Sequence, residues 1–338
     1  MRRVTIIGAG SWGTALAIMA ARAGHDVCLW SRSFEIVEAI NHQRMNPSYL
    51  TAARIPEEVS ATVDISAALQ KASLVVLAAP SHALRDLLKK MCPALNEDVV
   101  LVSAAKGIEV ESCKRISQLV NEVLGPEVSS RFVCLSGPSF AKEVVEKHPT
   151  AIVAASDDLE VARIVQSELS IETLRIYTND DVVGTELGGS VKNVMAIATG
   201  MASGLGLGSN TIAALITRGL AEITRLAVRE GARIETLMGL AGLGDLVLTC
   251  TGSLSRNRFV GEELGQGKTV NEITNGMNEI AEGIKTTRAV KLLADRLGIE
   301  MPITNEVNAV IYDGKPARAA VTELMARPLR EESRREAV

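Results

Sequence analysis

The chain has 338 residues, 47% of them apolar, with a mean hydropathy of +0.18. That length suggests two domains and that composition a sizeable core, which excludes a disordered chain. A net charge of −4 and only 3% aromatic residues exclude nucleic-acid binding through bulk charge or base stacking.

The first element is a strand over Val4–Ile7. Gly8-Ala9-Gly10-Ser11-Trp12-Gly13 follows it and opens a helix over Thr14–Arg22. Met1-Arg2-Arg3 and the uncharged run Val4–Ala21 imitate a signal peptide, but the three glycines have a better explanation. In a strand–turn–helix setting the first permits a tight turn and the second lets the backbone approach a pyrophosphate. The third lets helix pack on strand, and the helix N-terminus faces the phosphates. The chain therefore opens with a dinucleotide-binding unit.

Further short apolar runs at Val27–Trp30, Leu74–Ala79, Val99–Ser103, Phe132–Leu135 and Ala151–Ala154 read as strands buried on both faces of a parallel sheet. The amphipathic stretches Phe34–Arg44, His82–Met91 and Cys113–Leu124 lie between them. The alternation implies βαβ units and a doubly wound α/β sheet. The second strand ends in Ser31-Arg32-Ser33, with no carboxylate to hold a ribose 2′-hydroxyl. Arg32 can stack on adenine and pair with a 2′-phosphate, so NADPH is at least accepted; a solvated surface arginine is the alternative.

Beyond about Thr178 helical patterns take over, at Val182–Met201, Thr211–Glu230, Phe259–Leu264, Thr286–Arg296 and Glu306–Tyr312. The division is placed at 1–182 and 183–338, with no Pro/Ser-rich linker. The uncharged stretch Asn193–Thr217 is too polar for a lipid-facing span. It reads as two buried helices with a turn at Gly204–Gly208. The charged tail 327–338 reads as a frayed end. Five scattered cysteines (Cys28, Cys92, Cys113, Cys134, Cys250) without a CxxC pair read as reduced thiols of a cytoplasmic protein, with no metal site.

Hydride transfer to a carbonyl needs a proton donor. The four histidines all precede the helical half, and no Tyr-x-x-x-Lys pair exists, which leaves lysine. Lys192, in Gly188-Gly189-Ser190-Val191-Lys192-Asn193, is followed by no charge before Arg218. A desolvated lysine there would have a depressed pKa; a lysine reaching from a helix end to water is the alternative. Lys106 follows the strand Val99–Ser103, at the carboxyl end where α/β ligands bind, or is a solvated loop lysine. Ser139, in Ser136-Gly137-Pro138-Ser139, and Asp245, in Gly242-Leu243-Gly244-Asp245, each read as helix cap or ligand contact. Ser255-Arg256-Asn257-Arg258 places cations before a helix, against its dipole. A bound phosphate held by Arg256 reconciles them.

These residues resemble the bacterial NAD(P)-dependent glycerol-3-phosphate dehydrogenases. The segments are GAGSWGTALA (8–17), SAAKGIE (103–109), SGPSFAKE (136–143), ELGGSVKNVMAIATGM (186–201), ITRGLAEITRL (216–226), GLAGLGDLVLTCTGSLSRNR (239–258), AEGIKTT (281–287) and MPIT (301–304). The resemblance implies a Rossmann-type first domain and an all-α second domain like the C-terminal domain of 6-phosphogluconate dehydrogenase. It implies reversible reduction of dihydroxyacetone phosphate to sn-glycerol 3-phosphate with NADPH or NADH, for glycerophospholipid synthesis, by a cytoplasmic homodimer.

By the same resemblance Lys192 is the general acid/base, Lys106 binds substrate beside the cofactor, and Asp245 orders Lys192 or a substrate hydroxyl. Gly137 and Ser139 contact substrate, and Ser255, Arg256 and Asn257 hold its phosphate. Ser11, Trp12, Arg32, Tyr49, Lys106, Ala141, Arg256, Ile280 and Glu282 face the cofactor, along with Gly8, Gly10 and Gly13. Two competing readings remain. One is a related β-hydroxyacid or ketopantoate reductase, which the cations at Arg256–Arg258 oppose. The other is a non-catalytic NADP sensor, which the presence of Lys192 and Asp245 opposes.

Overall fold

Eight strands form one sheet: β1 (Arg3–Ile7), β2 (Asp26–Trp30), β3 (Val59–Thr62), β4 (Leu74–Leu77), β5 (Val100–Ser103), β6 (Phe132–Ser136), β7 (Thr150–Ala155) and β8 (Leu174–Asn179). The computed structural model describes residues 2–96, 98–277, 281–329, 331 and 332. Helices α1 (Ser11–Arg22), α2 (Phe34–Glu38), α3 (Ile65–Leu69), α4 (Leu84–Met91), α5 (Ile116–Leu124), α6 (Pro126–Ser129), α7 (Ala141–Val145) and α8 (Leu159–Leu169) alternate with them. The spatial order is β3-β2-β1-β4-β5-β6-β7-β8, a Rossmann-like arrangement carried past its sixth strand.

Period-two alternation explains why both faces are covered. Val4, Ile6, Val76 and Val102 turn to one face and pack with Leu16 and Met19 of α1 and Val165 of α8. Ile7, Val75, Leu77 and Leu101 turn to the other, against Leu88 of α4 and Leu119 of α5. Each such side chain contributes roughly 1.5–3 kcal/mol on leaving water.

The sheet departs from the sequence expectation in three places. The short strand β3 and the final strand β8 were not expected. Both are edge strands with half-solvated faces, so Val59-Ser60-Ala61-Thr62 and Leu174–Asn179 alternate in burial and lack the continuous apolar run of a strand covered on both faces. The third difference is direction. β1 to β6 are parallel, but β7 pairs antiparallel with β6 (Cys134↔Ala155, Ser136↔Val153), and β8 runs parallel to β7. The connecting helix α7 has five residues and spans about 7.5 Å, too short to return the chain along a strand of about 17 Å.

This reversal positions the second half. After β8 the chain enters α9 (Val182–Gly204) at the far edge of the sheet and climbs back along it. Lys192 lies ten residues on, about 15 Å higher, level with the end of β6, where Gly189 meets Ser136. The remaining helices are α10 (Ser209–Arg229), α11 (Ile234–Met238), α12 (Asp245–Thr251), α13 (Arg256–Gly265), α14 (Val270–Asn275), α15 (Glu282–Leu297), α16 (Pro302–Tyr312) and α17 (Ala317–Met325). Helix α9 is buried along nearly its whole length because α10, α12, α13 and α15 surround it. Helix α13 comes closest, since a Cβ on Gly200 would stand 2.1 Å from the Arg258 carbonyl oxygen.

The turn expected at Gly204–Gly208 separates α9 from α10, but only the first of the two helices is buried there: α10 has no buried residue before Gly219, because its first half runs along the surface. The tail expected to fray, 327–338, lies mostly outside the described residues. Among the described residues no helix is long and apolar enough to cross a membrane, and no three His, Cys, Asp or Glu side chains gather as metal ligands. The five cysteines are unpaired.

Candidate active site

The glycine-rich turn after β1 has the geometry its spacing implied. Gly8 has φ +117°, and a Cβ there would meet the Ala79 backbone at 2.8 Å. A Cβ on Gly13 would stand 1.8 Å from the Gly8 carbonyl oxygen, so helix and turn are in direct contact. Gly10, the N-cap of α1, differs: a Cβ there would enter open space. Nothing within the fold requires a glycine at Gly10, whereas a pyrophosphate drawn up to the helix N-terminus would. The turn thus fits a dinucleotide, with Ser11, Trp12 and Gly13 forming the first turn of α1.

Arg32 stands exposed just beyond β2, followed by Ser33, which caps α2 by accepting from Ile36 N at 3.3 Å. Tyr49 is half-buried against the core of the first half. Its loop is held by Asn46, a fully buried residue the sequence reading missed. The Asn46 amide donates to the Ala9 carbonyl at 3.0 Å and to Thr14 Oγ1 at 2.9 Å, and its oxygen accepts from Tyr49 N at 3.1 Å. The Asn46-Pro47 dipeptide was the available signal, since such pairs mark ordered turns.

Three charged side chains meet where the strand ends face the helices. Lys106, in the loop after β5, donates from Nζ to Asp245 Oδ2 at 2.6 Å and to the Gly137 carbonyl at 3.3 Å. Lys192 Nζ, from α9, donates to the other oxygen, Asp245 Oδ1. The carboxylate is 1% exposed, and the two lysines are 8% and 18% exposed for Lys192 and Lys106. Burial pulls the Lys192 ammonium well below the ordinary lysine range; the Asp245 carboxylate opposes that fall and neighbouring Lys106 adds to it. The approach of α9 depends on Gly189, where a Cβ would stand 2.5 Å from Ser136 Oγ.

Asp245 and Ser139 are thereby removed from the capping role each could have had. Asp245 is the first residue of α12, but its carboxylate goes to the two lysines. Ser139 does not cap α7, whose N-cap is Phe140; its hydroxyl donates back to the Gly137 carbonyl at 3.0 Å. Gly137 has φ +133°, which turns that carbonyl toward both donors. Ala141 begins α7.

Helix α13 begins one turn earlier than expected, at Arg256, so Arg256-Asn257-Arg258 form its first turn rather than preceding it. Ser255 is its N-cap, accepting from Arg258 N at 3.2 Å. Arg258 needs no phosphate to explain it, since it pairs with Glu262 one turn on at 2.7 Å. Arg256, the first residue of α13, is exposed and lies within electrostatic reach of Glu282 and Tyr49. Asn257 Oδ1 accepts from Gly283 N at 2.9 Å, tying α13 to the start of α15. Glu282, the first residue of α15, accepts from Ser81 N at 3.0 Å, and burial pushes its carboxyl up to about 7. Ser81, in the loop after β4, was also missed. Ile280 lies outside the described residues.

Two residue groups therefore converge. One is Lys106, Lys192, Asp245, Gly137 and Ser139. The other is Arg256, Asn257, Glu282 and Tyr49. Two ammonium groups on one carboxylate leave a net positive, largely dry site, which favours negative charge developing on a bound oxygen.

Comparison with known proteins agrees with this geometry. Residues 3–162 match the family model for the N-terminus of NAD-dependent glycerol-3-phosphate dehydrogenase, and 181–322 match the model for its C-terminus. The chain is 52% identical over 330 residues to the glycerol-3-phosphate dehydrogenase [NAD(P)+] of Koribacter versatilis, covering 97% of this chain and 98% of the relative. It is 50% identical to the protein of that name from Geobacter sulfurreducens, over 98% of each. The crystal structure of glycerol-3-phosphate dehydrogenase from Coxiella burnetii superposes with a TM-score of 0.92 at 39% identity, over 96% of this chain and 99% of that one.

Proposed function

The chain belongs to the NAD-dependent glycerol-3-phosphate dehydrogenase family, and from that premise we propose how its residues divide the work. It is an oxidoreductase that reduces dihydroxyacetone phosphate to glycerol 3-phosphate with NADH or NADPH. The observation that carries the assignment of roles is the Lys106–Asp245–Lys192 cluster.

The cofactor would be held by the turn Gly8, Gly10, Ser11, Trp12 and Gly13, with Arg32 available to its adenosine end. Tyr49, Lys106, Ala141, Arg256 and Glu282 would line the rest of its site. When bound, the nicotinamide supplies the hydride that reduces the ketone. Lys192, as ammonium, donates a proton to the carbonyl oxygen, and Asp245 fixes the direction of that donation. Lys106 adds positive charge to the same oxygen's surroundings, while Gly137 and Ser139 border the substrate carbons. Arg256 and Asn257 take the phosphate at the start of α13, with Ser255 shaping that turn through its cap. Catalysis is then mainly positioning plus stabilisation of developing negative charge.

The division into a cofactor domain, 1–182, and a substrate domain, 183–338, belongs to the same proposal. So do a homodimeric state, a cytoplasmic location and a place in supplying the glycerophospholipid backbone, each resting on family likeness. The deciding experiment follows NADPH absorbance with dihydroxyacetone phosphate, unphosphorylated dihydroxyacetone and ketopantoate in parallel. Oxidation with the phosphorylated ketone alone is the expected result. Equal rates with the unphosphorylated ketone would remove Arg256 and Asn257 from the phosphate role.

A further inference from the structure

Helix α5 begins badly by its own sequence. Its N-cap is Arg115, whose guanidinium has no oxygen to accept from the first-turn N–H groups. The acceptor comes from the other half of the molecule. Glu186, on α9, accepts from Ser117 N at 2.7 Å through Oε1. Through Oε2 it accepts from Ser117 Oγ at 2.6 Å and Arg115 Nη1 at 2.7 Å. The Arg115 guanidinium reaches on to Glu230 at 3.8 Å. Glu186 is 6% exposed, so this is a buried carboxylate with three donors across the boundary between the sheet and the helices.

Its place along α9 gives it a consequence. Glu186 precedes by one turn Gly189, which meets Ser136 at the end of β6, and Gly189 precedes Lys192 by another. At 100° per residue Glu186 and Lys192 lie about 120° apart around one rigid helix, so fixing the rotation at the first fixes it at the second. Three donors on one carboxylate fix both the rotation and the height of α9 against α5, and with them the direction of the Lys192 side chain toward Asp245.

We propose that Glu186 is a positioning residue: it caps α5 from the opposite domain and thereby sets the register of the helix that carries Lys192. It touches neither substrate nor cofactor. The proposal rests on the reading of Lys192 as proton donor, and Lys192→Ala tests that reading by itself. If that variant keeps turnover, the donor assignment fails whatever Glu186 does.

The test compares Glu186→Ala and Glu186→Gln in the full chain. The readouts are kcat, the KM for dihydroxyacetone phosphate and the NADPH Kd from cofactor fluorescence. Glu186→Ala is expected to lower kcat about tenfold or more, because small misplacements of a reacting group are costly, with the NADPH Kd changed by less than about twofold. Glu186→Gln, which keeps one acceptor for Ser117, is expected to recover part of the loss. A purely stabilising role would lower Tm and leave kcat per NADPH-binding site alone. Native kcat in folded Glu186→Ala, or loss of kcat and NADPH binding in equal proportion, would overturn the proposal. Should the alanine variant not fold, Ser117→Ala removes one donor while sparing the backbone contact. It is expected to lower kcat several-fold with NADPH binding intact, and an unchanged kcat there is equally fatal.

Discussion

Lys106 Nζ and Asp245 Oδ2 stand 2.6 Å apart although 139 positions separate them in the chain. The first follows the fifth strand and the second opens a helix of the other half, so the bond closes the cleft in which Lys192 also sits. Removing one partner of a buried ion pair leaves the others uncompensated. Here the carboxylate is shared, and its loss would leave two ammonium groups facing each other.

Replacing Lys192 by alanine is expected to cut kcat by roughly a hundredfold or more, the range of a lost general acid. NADPH binding should stay within about twofold, because the cofactor turn lies on a different element. Steady-state kinetics beside a fluorescence titration separate the two effects.

The pH profile carries a definite sign. Lys192 must be protonated to donate, and burial lowers its pKa from 10.5 to about 7. The rate of ketone reduction is therefore full below that value and lost as pH rises through it. Oxidation of glycerol 3-phosphate needs the neutral amine and rises over the same interval. Asp245→Asn removes the charge that holds Lys192 up, so the falling limb of its kcat profile should move to lower pH. A limb that stays in place would show that another group controls it.

Two glycines of the same turn should respond differently to alanine. Gly10→Ala places a methyl in open space, so its stability should change by less than about 1 kcal/mol. Its NADPH Kd should nonetheless rise tenfold or more, since the methyl occupies the pyrophosphate's approach. Gly13→Ala collides with the Gly8 carbonyl and should cost about 1–3 kcal/mol in unfolding free energy, as overpacking does. Denaturant melts with cofactor titrations would check both.

Arg256→Ala should raise the KM for dihydroxyacetone phosphate roughly ten- to a hundredfold, equivalent to about 1.5–3 kcal/mol for a charged hydrogen bond. Any residual oxidation with unphosphorylated dihydroxyacetone, measured at saturating NADPH, should not fall further. A parallel loss with both ketones would place Arg256 outside the phosphate site.

Much of this site could be read from residue types because the needed chemistry is rare. A lysine in an otherwise uncharged stretch has few harmless explanations, and Lys192 is where that argument pointed. The glycine spacing at 8–13 was legible for a similar reason. Asp245 was ambiguous, because an aspartate opening a helix looks the same whether it caps or bridges; only the approach of Lys106 and Lys192 decides. Arg258 was misread, because its Glu262 partner lies one turn inside a helix whose start was placed too late. Glu186 was invisible, since its partners lie 69 or more positions away; Asn46 showed only as the turn residue of Asn46-Pro47, because Ala9 and Thr14, which its amide holds, lie 37 and 32 positions away. The reversal at β7 was missed because strand direction depends on connection length, not on the strand's own residues.

Helix α9 acts as a ruler. Its zero mark is the far edge of the sheet at Val182, and Lys192 is read off ten residues up. One residue inserted between them would raise the lysine by about 1.5 Å and swing it about 100° around the axis. A seven-residue insertion would nearly restore the angle but overshoot the height by about 10 Å. Length changes should thus be tolerated in the turn at 205–208 and forbidden in the ten residues before Lys192. The spacing from sheet edge to proton donor is a quantity that this architecture permits only one value.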